Sequence, residues 1–202
     1  PKIDDLVRGA KERGMDALAL TDHGNLYGAL EFYQKAKSAG IKPIIGCEIY
    51  LAYEKLTDKR PGIDSKRYHL TVLARNYEGY TNLMRIVTIA HLDGYYYKPR
   101  VDKPTLKNYS SGLIALSGCL NSEISQAILS EDIGRAERLI REYEDIFGIG
   151  YFYLELGAHA NIPEQKKVND GLIALSKKMG VPCVATNDIH YVEKGDSVAQ
   201  DI

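Results

Sequence analysis

Cysteine is scarce in this chain, and the little there is does not look paired. Cys47, Cys119 and Cys183 are the three in 202 residues. An odd number at wide spacing argues against a disulfide framework. Each abuts an apolar, strand-like run, which fits reduced, buried thiols in a cytoplasmic protein. An excess of one charge is also missing: 26 Lys and Arg stand against 27 Asp and Glu, for a net charge of −1. A face that grips duplex DNA by its phosphates carries a basic excess, so a large backbone footprint is disfavoured. One nucleotide in a pocket is still compatible. No apolar run reaches the ~20 residues of a membrane span, and none opens the chain as a signal peptide. An initiator methionine is absent too. The chain starts at Pro1 in a helix-like pattern and stops at Ile202 inside another. The expectation is a single domain over residues 1–202, truncated at both ends.

What is present is the material of an α/β core. The composition is 45% hydrophobic and 26% charged, the ordinary balance of a globular domain. Helical and extended patterns alternate. Apolar residues at helical spacing (Ile3, Leu6, Val7, Ala10) predict a helix over 3–13, closed by Gly14. A strand follows over 16–21, a helix over 26–39 and a strand over 43–52. Residues 54–67 are polar, contain Pro61-Gly62 and read as an exposed loop. Then come a strand at 68–74, a helix at 78–91 and an irregular stretch from Gly94 to Pro104. A strand at 112–117, helices at 121–129 and 133–147, a strand at 151–156, a helix at 164–179 and a strand at 182–187 complete the order. Such alternation predicts a parallel sheet or barrel. The hexapeptide Gly-Leu-Ile-Ala-Leu-Ser occurs at both 112–117 and 171–176. Its flanks differ. The first copy, between serines and Gly118, reads as a strand; the second, followed by Lys177-Lys178 and Gly180, reads as the end of a helix.

Six residues able to bind a metal lie scattered along this order: His23, Glu48, His69, Cys119, Asp188 and His190. Five follow or interrupt an apolar run where a strand should end. His69 is the exception, at the start of its run. Strand C-termini converge on one face of a barrel, so ligands distant in sequence can meet there. Imidazole, thiolate and carboxylate together suit a soft or borderline cation. The barrel reading requires His23 and His190 on one rim, within ~15 Å of each other. Asp188 and His190 are one strand repeat apart and should face the same way.

Blander readings stand beside these. A lone histidine usually holds a structural hydrogen bond, and His91 and His159 start from that reading. Glu48 follows an apolar run, where an unpaired carboxylate is costly; a cation or an arginine (Arg67 or Arg100) would each relieve it. Cys119 alone reads as a small buried hydrophobe, as do Cys47 and Cys183. Gly94-Tyr95-Tyr96-Tyr97-Lys98-Pro99-Arg100 reads equally as base-stacking aromatics beside cations or as a loop capping the barrel end.

Taken together, certain motifs resemble a family. They are Thr21-Asp22-His23-Gly24-Asn25-Leu26, Ile41 to Glu48, Tyr68-His69-Leu70-Thr71, Ser117-Gly118-Cys119 and Ala185-Thr186-Asn187-Asp188-Ile189-His190-Tyr191. They resemble the polymerase and histidinol phosphatase (PHP) domain. Tyr96 to Asp102 and Pro163 to Asn169 narrow the resemblance to the PHP domain of bacterial DNA polymerase III alpha subunits. It spans essentially the whole chain.

The resemblance implies an α/β fold, a distorted (β/α)7 TIM-like barrel whose first strand is missing here. It implies a metal cluster, of Zn²⁺ or Mn²⁺, at the strand ends. His23, Glu48, His69, Cys119, Asp188 and His190 fall on its ligand positions, and all six are competent residues. The family's His-x-His pair and a further Asp precede the point where this chain starts, so the chain alone is expected to be inactive. The implied chemistry is phosphoester hydrolysis, plausibly 3′→5′ trimming of DNA. Asp188 and His190 would serve it at the metal, and Arg100 is assigned to phosphate contact. The parent protein would synthesise DNA with Mg²⁺ on DNA and nucleotides, and a proofreading subunit or sliding clamp is an expected partner. Two other readings are a structural module that docks such a partner and a stand-alone phosphatase.

Overall fold

The computed structural model describes residues 1–159, 161–196 and 198. Seven strands form one curled sheet: β1 (Ala17–Leu20), β2 (Lys42–Ala52), β3 (Arg67–Ala74), β4 (Arg100–Val101), β5 (Leu113–Leu116), β6 (Phe152–Gly157) and β7 (Cys183–Thr186). The spatial order is β1-β2-β3-β5-β6-β7, with β4 beside β2. Among the described residues they are accompanied by α-helices α1 (Ile3–Glu12), α2 (Ala29–Ser38), α3 (Tyr77–Leu92), α4 (Lys103–Asn108), α5 (Glu123–Leu129), α6 (Ile133–Phe147) and α7 (Pro163–Met179), and by a 3-10 turn at Lys194–Asp196.

The expected all-parallel sheet is corrected at one strand. β3 pairs antiparallel with β2 on one side and with β5 on the other, while the remaining pairings are parallel. The reason is the connection. β2 and β3 are joined by residues 53–66 without a crossover helix, so the chain turns back along its neighbour. Reversal carries the start of β3 to the rim where the other strands end. His69, third in β3, lies opposite Tyr50 near the end of β2. That is why His69 alone departed from the strand-end pattern.

Period two then sorts the side chains. On β2, Cys47, Ile49 and Leu51 are buried in the main core; on β3, Leu70 and Val72 join them; on β6, Phe152 and Leu154 do. Leu83 and Ile86 of α3, Ile124 and Ile128 of α5, Ile140 and Tyr143 of α6 and Leu172 and Leu175 of α7 cover that face. The alternate residues Glu48, Tyr50, His69, Thr71 and Glu155 therefore point to the opposite, concave face. α6 shows how closely sequence dictates this layer. Asp132 caps it by accepting from the Arg135 N–H, and Ala136, Leu139, Ile140, Tyr143 and Phe147 form its buried stripe. The two hexapeptide copies separate as their flanks require: residues 113–116 are β5, and 171–176 lie within α7, which Gly180 ends at φ 77°.

β1, a bridge at His23 and β4 occupy one edge of β2 in succession. The other edge belongs to β3. β4 and α4 fall within the stretch read as irregular, and a two-residue strand is too short to show periodicity. The sheet curls until its two ends approach: the His23 and His190 rings, after β1 and β7, are 5.9 Å apart. Beyond β7, Val192 packs onto the small core formed by Leu6, Val7 and Ala10 of α1.

The 53–66 segment is fastened rather than loose. The Asp64 carboxylate accepts from the Arg60 backbone N–H at 2.6 Å and from its guanidinium at 2.8 and 2.9 Å. The guanidinium hydrogen bonds are the main force holding the Asp64 carboxyl down to about 2. A carboxylate lowered by folding stabilises above its unfolded pKa of ~3.9 and loses that contribution as pH falls through the folded value. Asp64→Asn is therefore expected to lower the melting temperature and expose residues 53–66 to proteolysis at pH 7. The gap from the parent should close as pH falls from ~4 towards 2. A gap unchanged at pH 2 would contradict the assignment.

Candidate metal centre

Glu48 is the pivot. It lies in the middle of β2, 7% exposed, with its carboxylate on the concave face. Oε1 is 2.5 Å from His69 Nδ1, and Oε2 is 3.6 Å from His23 Nδ1. Burial pushes the Glu48 carboxyl up, but the His69 hydrogen bond and the fields of His23, His69 and His190 outweigh it. The result is a carboxyl below its ordinary value. Neither Arg67 nor Arg100 supplies the partner; histidines do.

Cys119 completes an inner trio. Its Sγ is 3.4 Å from His69 Nδ1 and 3.9 Å from Glu48 Oε1. One ligand atom from each of Glu48, His69 and Cys119 lies within 4.8 Å of the others. Ligand bonds of ~2.0–2.3 Å place neighbouring donors ~3–4.5 Å apart; the two Cys119 separations fall in that range, and the Glu48–His69 pair, hydrogen-bonded at 2.5 Å, would have to open slightly to share a cation. Burial holds the Cys119 thiol up at about 12. Gly118, at φ 86°, makes the turn before it. A Cβ there would stand 2.7 Å from the His69 carbonyl oxygen, so only glycine lets this turn approach β3 so closely.

His23 sits on a second glycine turn. The Gly24 N–H donates to the Glu48 carbonyl at 2.9 Å, and the Gly24 carbonyl accepts from His91 Nε2 at 2.9 Å. His91 thus has the structural role its lone position implied, and the bond it makes fastens the His23 turn to α3. Asp188 and His190 lie past the end of β7, not on it. Asp188 adopts φ 45°, which breaks the strand alternation assumed for the pair. They still meet: His190 Nδ1 is 3.0 Å from the Asp188 carbonyl and 3.9 Å from its Oδ1. The structure gathers Glu48, His69 and Cys119 tightly, sets His23 against Glu48, and leaves Asp188 and His190 on the rim beside His23.

Arg100 is the clear correction. It is fully buried, and its guanidinium donates to the carbonyls of Gly94, Asp64, Leu56 and Asp58 at 2.8–3.1 Å. Its donors are committed to the backbone of the 53–66 segment and of Gly94, so it is a strut and not a phosphate contact. The tyrosine-rich stretch divides likewise. Tyr96 packs under the Arg100 guanidinium, 5.3 Å from its ring centre, whereas Tyr95 and Tyr97 are exposed. His159 lies outside the trio, its carbonyl accepting from the Ile162 N–H.

Tyr50 and Glu155 escaped the sequence reading of the site, and Arg67 and Lys98 take a place beside Tyr50 that it did not assign them. Tyr50 packs edge-on against His69 at 5.2 Å and stacks near His23 at 6.3 Å. The Arg67 guanidinium and the Lys98 ammonium lie 5.4 and 5.8 Å from the Tyr50 ring centre. Glu155, on the concave face of β6, is 9% exposed; burial raises its carboxyl against hydrogen bonds from Thr186 and Thr71. Its signal was the one that exposed Glu48: a carboxylate inside an apolar strand, here Tyr153-Leu154-Glu155-Leu156.

The α/β fold curls its sheet so that imidazole, carboxylate and thiol groups gather on the concave rim, in an arrangement that could hold a metal ion. The chain belongs to the PHP domain family, whose model matches residues 1–159. DNA polymerase III subunit alpha of Thermus aquaticus is 47% identical over 205 residues, covering 100% of this chain and 17% of that protein. The chain thus spans about a sixth of the length of that curated relative. Two solved structures share the fold at 13% identity. One is an amidohydrolase from Chromobacterium violaceum with bound sulfate and no metal (TM-score 0.58; 96% of this chain, 84% of that one). The other is a protein assigned as a metal-dependent phosphoesterase from Bifidobacterium adolescentis (TM-score 0.53; 96% and 83%).

Two substitutions separate strut from ligand. Arg100→Lys should cost on the order of 3 kcal/mol in stability, since an ammonium cannot satisfy four diverging carbonyls. Its metal content should match the parent's. Glu48→Gln should do the reverse, losing metal while costing less stability than Arg100→Lys, because the isosteric amide can still meet His69. Denaturant melts with elemental analysis check both, and the opposite pattern would sink the assignment.

Proposed function

We propose that this chain is the PHP domain of a bacterial replicative DNA polymerase alpha subunit and that its concave rim is a metal-dependent phosphoesterase site. The observation that carries the reading is the convergence of Glu48, His69 and Cys119, from three separate segments, within 4.8 Å. The mixed nitrogen, oxygen and sulfur donors favour Zn²⁺ or Mn²⁺. His23, Glu48, His69, Cys119, Asp188 and His190 would hold the cations. Bound there, such ions supply Lewis acidity toward a phosphoryl oxygen and lower the pKa of water.

The protein's own residues shape the rest. Glu48 lies between the His69 and His23 rings and holds His69 Nδ1 by a hydrogen bond, whose proton a cation bound at Nδ1 would displace. Tyr50 flanks both His69 and His23, and Arg67 and Lys98 place positive charge against its ring. That charge suits the phosphate of a DNA 3′ end, in the place first assigned to Arg100. The expected reaction is 3′→5′ removal of nucleotides. The polymerase body of the parent would extend primers with Mg²⁺, in the cytoplasm, with a proofreading subunit or clamp docked to it. The name of the Thermus aquaticus relative supports this placement.

The test uses the full-length polymerase carrying this chain, freed of any other exonuclease. Asp188→Ala combined with His190→Ala is expected to abolish Mn²⁺- or Zn²⁺-dependent trimming of a labelled primer and to lower bound metal. Mg²⁺-dependent extension should persist. Parental trimming and parental metal content in the double variant would refute the site.

A further inference from the structure

Glu155 is buried, charged and close to the cluster, yet it belongs to no ligand motif. Its carboxylate takes three hydrogen bonds from three segments. Thr186 Oγ1 donates to Oε1 at 2.7 Å; Thr71 Oγ1 and the Gly118 N–H donate to Oε2 at 3.3 and 3.1 Å. Its own backbone N–H donates to Ser117 Oγ at 2.8 Å. Each partner stands beside a ligand. Thr71 is two residues from His69 on the same face of β3 and pairs with Glu48 in register. Ser117 and Gly118 form the turn that presents Cys119. Thr186 ends β7, two residues before Asp188.

We propose that Glu155 is the positioning residue of the metal centre, the acceptor that holds the β3, Cys119 and Asp188 segments at their mutual spacing. This rests on the metal-site reading above. The partners are neutral donors, so the carboxylate is not consumed by an ion pair; it serves as a junction with only acceptor capacity. An apolar side chain would leave a buried amide and two hydroxyls unpartnered and let the Cys119 turn and the end of β7 relax separately. Such outer partners of metal ligands affect metal affinity by ~10–100-fold.

The geometry makes a prediction that a charge or ligand role does not. In Glu155→Gln the amide oxygen can replace Oε2, accepting from Gly118 and Thr71. The amide NH2 can then donate to Thr186, whose hydroxyl turns to accept. The junction survives without its charge.

The experiment compares the parent full-length protein with Glu155→Gln, Glu155→Leu and the milder Thr186→Val. Mn²⁺ affinity is measured by titration calorimetry, and amide exchange of residues 117–120 and 186–190 by mass spectrometry without metal. Expected are affinity within ~3-fold of parent for Glu155→Gln and a loss of at least ~10-fold for Glu155→Leu. Thr186→Val should fall between, which keeps the test alive if Glu155→Leu does not fold. Exchange should quicken over both segments in Glu155→Leu, or in Thr186→Val at 186–190, while core helices stay protected. Glu155→Gln falling as far as Glu155→Leu would overturn the proposal and make the carboxylate a ligand or charge contributor. Parental affinity and exchange in Glu155→Leu would overturn it as well. A parent that binds no Mn²⁺ would defeat the metal reading itself, and the metal-free exchange would still decide whether Glu155 holds the two segments.

Discussion

A carboxylate in the middle of a strand has to be answered, and Glu48 is where this fold answers it. β2 buries one face in the core and turns Glu48 to the other, where water is largely excluded. Left alone, that charge would cost several kcal/mol. Its answer comes from donors distant in sequence: His69 from the reversed β3, His23 from the turn after β1, and Cys119 from the turn after β5. The reversal of β3 is what makes this possible. Were β3 parallel, His69 would stand at the opposite rim and Glu48 would be left with His23 alone.

The support behind the trio follows the same economy. Polar groups that cannot reach water are tied to groups bearing ligands. His91 holds the Gly24 carbonyl next to His23, and Glu155 holds the turn before Cys119 and the end of β7. Arg100 performs the equivalent task at a distance, tying three carbonyls of the segment that joins β2 to β3 to that of Gly94 after α3. The antiparallel return that brings His69 into place thus depends on a buried guanidinium as well as on the strand ladder.

Much of this was legible in the sequence. α7 announced itself through Lys177-Lys178 and a terminal Gly180, and the helix expected over 133–147 matches α6. The two copies of one hexapeptide were separable because flanking residues, not the six themselves, decide between strand and helix. Pairing direction was not legible. Alternation of helices and strands cannot reveal that the 53–66 connection lacks a crossover, and so it misplaced β3. Arg100 was misassigned because sequence shows a charge but not which carbonyls surround it. Asp188 and His190 were expected to face the same way, one strand repeat apart; β7 ends at Thr186 and Asp188 turns left-handed beyond it. Glu155 was available from the reasoning used for Glu48 and was overlooked, since it lies in no recognised motif.

The central claim is that Glu48, His69 and Cys119 ligate one cation between them. The most direct measurement is anomalous diffraction from crystals of the protein loaded with Mn²⁺ or Zn²⁺, recorded on either side of the metal edge. The account predicts a peak at bonding distance, ~2.0–2.3 Å, from Glu48 Oε1, His69 Nδ1 and Cys119 Sγ together. A peak that shares none of these three atoms, or a fully loaded protein whose metal sits elsewhere on the surface, would contradict it.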